Sequence, residues 1–356
     1  YTGSGIYRDV WLIAAPEIHL AQWGTGWYAT SLTDRQATIA VDMEVQKHIV
    51  TREKLELSAT LYDAAGKQVA QRRTRVSDGK EGITKETLTL KVTKPHRWNL
   101  NDPYLYTLKA ELLSNGKRID GCETKVGLRT LDFDPNKGFA LNGNWMKVKG
   151  VCLHHDAGVL GAVVPPEVWE RRLNNLKEIG VNAIRMSHNP HAPIVYDLCD
   201  QLGLLVMDEA SDEWEFPKRK WIKGWNKGEP GFDGSFDFFE EWIEQDVTDM
   251  VRRDRNHPSI FLWSIGNEVD YPNDPYSHPI LDGAQINQPM FGGYKPDAPD
   301  AMRIGVIAKR LAARVRAVDT SRPVTGALAG VVMSNETEYP DAVDVVGYNY
   351  TENRYD

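Results

Sequence analysis

At 356 residues the chain has the length of about two domains, and its 41% apolar and 26% charged residues exclude a disordered, collagen-like or coiled-coil polypeptide. A net charge of −8 gives no electrostatic pull toward nucleic acid or an anionic membrane, and no run approaches the roughly 18 apolar residues of a membrane span. Three widely spaced cysteines, Cys122, Cys152 and Cys199, define neither a disulfide framework nor a zinc cage.

Residues 1 to 132 carry 19 basic and 16 acidic side chains, whereas residues 133 to 356 carry 23 and 34. The break marks two regions, the second holding either an acidic cleft or a solvated acidic surface. In the first region Ile39, Val41, Met43 and Val45 alternate with polar residues, as do Leu55 to Leu61, Leu88 to Val92 and Tyr104 to Leu112. Such alternation predicts strands with one dry face. Asn115-Gly116 predicts a two-residue hairpin turn with a return strand through Val126. The pattern is that of an immunoglobulin-like β-sandwich of about a hundred residues.

After Asn142-Gly143 strands alternate with helices. Strands are predicted at 146–154, 183–187, 204–207, 260–265, 324–327 and 343–347. Helices are predicted at 165–179, with Val168, Leu173, Leu176 and Ile179 as its apolar stripe, and at 194–201, 238–253 and 302–318. This grammar predicts a parallel α/β unit, a (β/α)8 TIM barrel of which about six strands are present.

Chemistry in such a barrel sits at the C-terminal ends of the strands. Those ends carry His154-His155-Asp156, Arg185 with His188, Asp208-Glu209, Asn267-Glu268 and Tyr348-Asn349-Tyr350. Glu268 ends an apolar strand, where desolvation raises a carboxyl and suits it to proton donation; the alternative is a capping or salt-bridged glutamate. Asn267 offers a donor and an acceptor to a sugar hydroxyl, or is a plain turn residue. Adjacent strand residues face opposite ways, so at most one of Asp208 and Glu209 enters the cleft, to orient other groups or pair with Arg185. His188 is either a ligand contact or structural. Consecutive histidines cannot chelate one ion from one face, and no metal site is expected. Of the eleven tryptophans, Trp214, Trp221 and Trp225 in the 211–235 insertion, together with Trp263, suit stacking on a pyranose or packing of a lid.

Gly3 to Leu12 (GSGIYRDVWL), Trp98 to Tyr106 (WNLNDPYLY), Phe139 to Asp156, Arg185 to Pro190 and Asp254 to Glu268 (DRNHPSIFLWSIGNE) together resemble glycoside hydrolase family 2. The resemblance covers nearly the whole chain, and His154-His155-Asp156 with Asp208 to Trp214 is most similar to bacterial β-galactosidases. It implies the end of an N-terminal jelly-roll sugar-binding domain at 1–20, a sandwich at 21–132 and a catalytic barrel at 133–356, truncated after about six strands. It implies a retaining hydrolase of terminal β-glycosidic bonds, whose two carboxyls lie about 5 to 5.5 Å apart. Glu268 is then the acid/base and Asn267 binds the sugar 2-hydroxyl. His188, Arg185 and Glu209 contact or orient the sugar, His155 and Asp156 line its pocket, and Tyr350 bonds the nucleophile. The nucleophile, a glutamate on the seventh strand, is expected beyond Asp356, leaving this portion alone inactive. No cofactor is expected, an Mg or Na ion being compatible with the family but unsupported by the sequence. A β-linked glycoside is the expected partner, without nucleic acid or membrane, and a homo-oligomer is allowed. The alternatives are a non-catalytic carbohydrate-binding fragment, or β-glucuronidase or β-mannosidase specificity. The compartment, bacterial periplasm or cytoplasm, stays open.

Overall fold

The alternating segments of the first region become two packed antiparallel sheets. The computed structural model describes residues 6–218, 220–221, 230–231, 234, 236–282 and 293–352. Tyr1 to Gly5, Trp225 and the side chain of Trp221 lie outside the described residues. Strands β1 (Ile18–Leu32), β2 (Gln36–Lys47) and β5 (Gly82–Thr93) form one sheet in the order β1-β2-β5. β3 (Leu55–Tyr62), β4 (Gln68–Arg75), β6 (Tyr106–Ser114) and β7 (Lys117–Val126) form the other, in the order β4-β3-β6-β7. Ile39, Val41, Met43, Leu57, Leu61 and Leu108 meet between them, each fully buried. At the β6–β7 turn both Asn115 and Gly116 have positive φ, 50° and 82°, the geometry an Asn-Gly hairpin calls for.

Two strands of the sandwich are new relative to the sequence reading. β1 runs from Ile18 across the expected boundary near residue 20, pairing with β2 over most of its length. β4 reads Gln-Val-Ala-Gln-Arg-Arg-Thr-Arg, a sheet-edge strand whose charges mask its alternation.

A small antiparallel sheet of β8 (Leu131–Asp134), β9 (Gly138–Leu141) and β10 (Asn144–Met146) follows. Its Phe139 and Leu141, with Trp98, pack on Ala183, Leu205 and Phe261 at the start of three barrel strands, plugging the end opposite the chemistry. The strand expected at 146–154 is therefore two, β10 and β11 (Gly150–His154). Asn182 bridges the step between them, donating to Lys147 O (2.9 Å) and accepting from Lys149 N–H (2.6 Å).

The barrel strands are β11, β12 (Ala183–Ser187), β13 (Leu205–Glu209), then, after a two-residue pair β14 (Lys220–Trp221) and β15 (Pro230–Gly231), β16 (Ile260–Asn267), β17 (Val324–Leu328) and β18 (Val345–Tyr348). The six long ones lie parallel in sequence order, an incomplete (β/α)8 barrel. Helices α1 (Pro166–Glu178), α2 (Pro193–Leu202), α3 (Phe239–Asp254) and α4 (Met302–Val318) cover it, with short turns α5 (Val331–Ser334) and α6 (Tyr339–Ala342). The buried face of α1 is built on Trp169 and Leu173 rather than on Val168 and Ile179. Trp169 lies one turn before Leu173, whereas Ile179 is past the helix end and exposed. Among the described residues no helix is long and apolar enough to cross a membrane.

Candidate active site

Alternation on β13 sends Asp208 and Glu209 to opposite sides of the sheet. Glu209, with no exposed side-chain surface, enters the barrel mouth and accepts four hydrogen bonds. Oε2 takes Nε (3.0 Å) and Nη2 (2.6 Å) of Arg185 and the Ser264 hydroxyl (2.7 Å), and Oε1 meets Nδ1 of His188 at 2.6 Å. Burial works against the Arg185 charge, but Glu209 more than restores it and the guanidinium is held above its ordinary range. Asp208 points into the helix layer, where Tyr196 donates to it at 2.7 Å. There desolvation, with the Asp254 carboxyl adding to it, pushes it well above the carboxylate range.

The same Arg185 Nη2 donates to Oδ1 of Asn267 at 2.7 Å, and Asn267 Nδ2 donates to Asp212 at 2.9 Å. Positive charge at the oxygen end and negative charge at the nitrogen end fix the orientation of this buried amide. Lys218 locks the other side, its ammonium donating to Asp212 (2.8 Å) and to Asn267 O (2.7 Å). Burial acts to raise Asp212, but Lys218 and the Asn267 amide outweigh it and hold the carboxyl down at about 2.

Glu268 is partly buried, with φ at +47° and its N–H bonded to Ala327 O at 2.7 Å. Asn349 Nδ2 donates to its Oε1 (2.7 Å) and the Tyr271 hydroxyl to its Oε2 (2.8 Å). Tyr350 is also hydrogen-bonded to Glu268, which together with burial raises the phenol. The resemblance implied the nucleophile as the partner of Tyr350; among the described residues the tyrosine meets Glu268.

His155 requires a correction. Its ring turns away from the mouth and packs among Tyr7, Trp169 and His191, at centroid distances of 5.8, 5.2 and 5.3 Å. His154, the last residue of β11, stands edge-on to His188 at 5.2 Å instead. Strand alternation gives the cleft to one of two adjacent histidines, and the register of β11 selects His154. Asp156 stays in the following loop, where its Oδ1 accepts the Gly158 N–H at 3.2 Å. Trp214 and Trp263 are core residues and do not face a sugar. They are 1% and 0% exposed, bonded to Ile265 O and to Asp319 respectively.

Sequence reasoning placed Asn349 at a strand end without a role, and missed Asp212, Lys218, Tyr271 and Ser264 as members of this network. A serine inside the apolar strand Phe-Leu-Trp-Ser-Ile was the available signal for Ser264. The others lie in loops, where no periodicity assigns a direction. Among the described residues, the His and carboxylate group close enough to share an ion is Asp197, Asp200 and His257. It borders the sandwich, and His257 is already paired to Asp200 at 2.6 Å.

The family descriptions "Glycosyl hydrolases family 2, TIM barrel domain" and "Glycosyl hydrolases family 2" match residues 135–339 and 25–129. The β-galactosidase BoGH2A of Bacteroides ovatus is 38% identical over 98% of the chain, and a β-glucuronidase of Bacteroides fragilis is 30% identical over 76%. The chain covers 40% and 38% of these two relatives. A crystal structure of a family 2 member from Bacteroides cellulosilyticus superposes on all of the chain with a TM-score of 0.84 at 34% identity, and 41% of that protein is covered. Matching sandwich, matching barrel and a relative of this identity along nearly the whole length make the chain a member of glycosyl hydrolase family 2.

Proposed function

We propose that the chain forms the acid/base half of a retaining β-glycosidase acting on terminal β-galactosides, with residues 1–20 ending a jelly-roll domain, 21–132 forming the sandwich and 133–356 the catalytic barrel. The observation that carries this reading is the Asn267-Glu268 pair at the end of β16, its amide clamped between Arg185 and Asp212 and its carboxyl between Asn349 and Tyr271. Glu268 protonates the glycosidic oxygen and later activates water, the double role one carboxyl plays in retaining enzymes. Asn267 directs its second N–H to the sugar 2-hydroxyl. Arg185, His188 and Glu209 form the floor on which the glycone rests, with His154 added to this set and His155 moved to its support.

By the chain's resemblance to the family, the nucleophile is expected to be a glutamate on a seventh barrel strand, and two carboxylates of this mouth already have other partners. Glu209 is enclosed by Arg185, His188 and Ser264, and Asp212 by Lys218 and Asn267. Galactoside preference is supported by the β-galactosidase relative; other relatives are named β-glucuronidases, so specificity is to be measured.

The test compares the 356-residue polypeptide with one continued along its reading frame, on aryl β-galactoside, β-glucuronide and β-mannoside. The longer form is expected to hydrolyse the galactoside with retention, and Glu268→Gln to lose about 10²-fold or more on a substrate with a poor leaving group. An inverted product, or turnover by the 356 residues alone, overturns the assignment.

A further inference from the structure

The structure assigns Tyr271 as a positioning residue for the acid/base carboxyl: its hydroxyl on Oε2, opposite the Asn349 amide on Oε1, fixes the plane of Glu268. This rests on the reading of Glu268 as acid/base.

Beside the Tyr350 contact, Tyr271 donates to Oε2 at 2.8 Å and Asn349 to Oε1 at 2.7 Å, and these two donors differ in kind. An amide N–H only donates, so Oε1 serves as acceptor whether Glu268 is charged or neutral. A phenol hydroxyl donates or accepts, so the contact at Oε2 survives when that oxygen gains or loses a proton. Burial and the adjacent Glu268 raise the Tyr271 phenol well above its ordinary value, which keeps it a neutral hydroxyl at every pH of interest.

The backbone delivering this hydroxyl is fixed. Fully buried Asp270 accepts the N–H groups of Ala329 (2.9 Å) and Gly330 (2.9 Å) and the Ser334 hydroxyl, tying the residue before Tyr271 to the turn after β17. Farther on, Asn273 N–H bonds Tyr276 O at 2.6 Å, and Tyr276 donates to Glu215, itself bound by Arg303. Glu268 adopts a left-handed backbone, uncommon for a residue with a side chain, and its N–H is anchored on β17. With the backbone direction set, only the side-chain torsions remain, and Tyr271, Asn349 and Tyr350 constrain those.

Tyr271→Phe removes one hydroxyl and keeps the ring. In the active enzyme containing this chain, kcat/KM for a methyl or phenyl β-galactoside is expected to fall roughly tenfold, and for a 2,4-dinitrophenyl galactoside to change less than about threefold, since only the poor leaving groups need the proton. The basic limb of the kcat/KM profile moves to higher pH, because the carboxylate has lost a donor. Equal losses on both substrates with an unmoved profile would make Tyr271 merely structural and overturn the assignment. Glu268→Gln run alongside separates the two ideas: if it leaves turnover of the methyl galactoside intact, the acid/base reading fails and takes this assignment with it. A readout independent of turnover is the carbon-13 titration of Glu268 in the 356-residue polypeptide, identified by its loss in Glu268→Gln. Tyr271→Phe is expected to move that titration to higher pH, and an unmoved midpoint overturns the assignment.

Discussion

Asp208 and Glu209 are consecutive on β13, yet one is enclosed by cations and donors at the barrel mouth and the other by a tyrosine and a second carboxyl behind it. That only one enters the cleft follows from period-two alternation and was legible in the sequence. Which one does depends on barrel register, which no local pattern encodes, and the same gap misplaced His155. Its burial carries a consequence for pH. Desolvation, then the nearby Arg8, lowers His155 to about 4, and desolvation with its neighbour His155 lowers His191 to about 3. Both values lie below the unfolded 6.5, so the unfolded chain binds more protons once pH falls under 6.5, and stability drops as pH falls from there toward 4. Raised carboxyls such as Asp208 oppose this slope, so the check is a difference: His191→Gln should reduce the acid-side slope of urea stability by up to about 1.4 kcal/mol per pH unit, one proton's worth. A slope unchanged by His191→Gln would contradict this; the depressed Asp212, at about 2, acts only at lower pH.

On β16 the sequence Phe-Leu-Trp-Ser-Ile-Gly-Asn-Glu was readable as a buried strand ending in chemistry, and its neighbours β12, β13 and β17 were placed from short apolar runs. The lid before it was readable only as a tryptophan-rich insertion. Its Trp214 lies against Gly266, where an added Cβ would meet the indole at 2.7 Å from Nε1 and 3.0 Å from Cε2. Gly266 thus lets the Trp214 indole pack on the strand one position before Asn267. Gly266→Ala should cost about 1–3 kcal/mol by overpacking, because the indole is buried and bonded to Ile265 O. Calorimetry checks the cost, and the quenching of tryptophan fluorescence by acrylamide should rise if Trp214 is displaced. An unchanged melting temperature would show that the lid gives way without penalty.

Across the molecule, Asp254 to Pro258 is one of the stretches that join the sandwich to the barrel, beside the packing of Trp98 on the barrel strands and the Arg129 bond to Ile260 O. Arg252 in the preceding helical turn pairs with Glu44 at 2.6 Å, Arg255 donates to Trp23 O (3.0 Å), and Asn256 both accepts from Trp27 N–H (3.2 Å) and donates to Thr25 O (2.9 Å). Asn256 therefore acts as a rung between β1 and the barrel, an arrangement invisible in the sequence because the two partners lie about 230 residues apart. Asn256→Ala leaves the Trp27 N–H without its acceptor, and should cost about 1–3 kcal/mol and broaden the calorimetric transition as the two units uncouple. A single transition as sharp as the parent's would show that the rung carries no coupling. Past this joint the chain enters β16, whose first carbonyl, at Ile260, takes donors from Arg129 and from Arg322, and whose far end is Glu268. For anyone recombining family members, the sandwich is consequently half of a hinge pin and not an interchangeable tag: a graft that preserves every residue at the mouth but brings a foreign β1 inherits a mismatched bearing at the root of the acid/base strand.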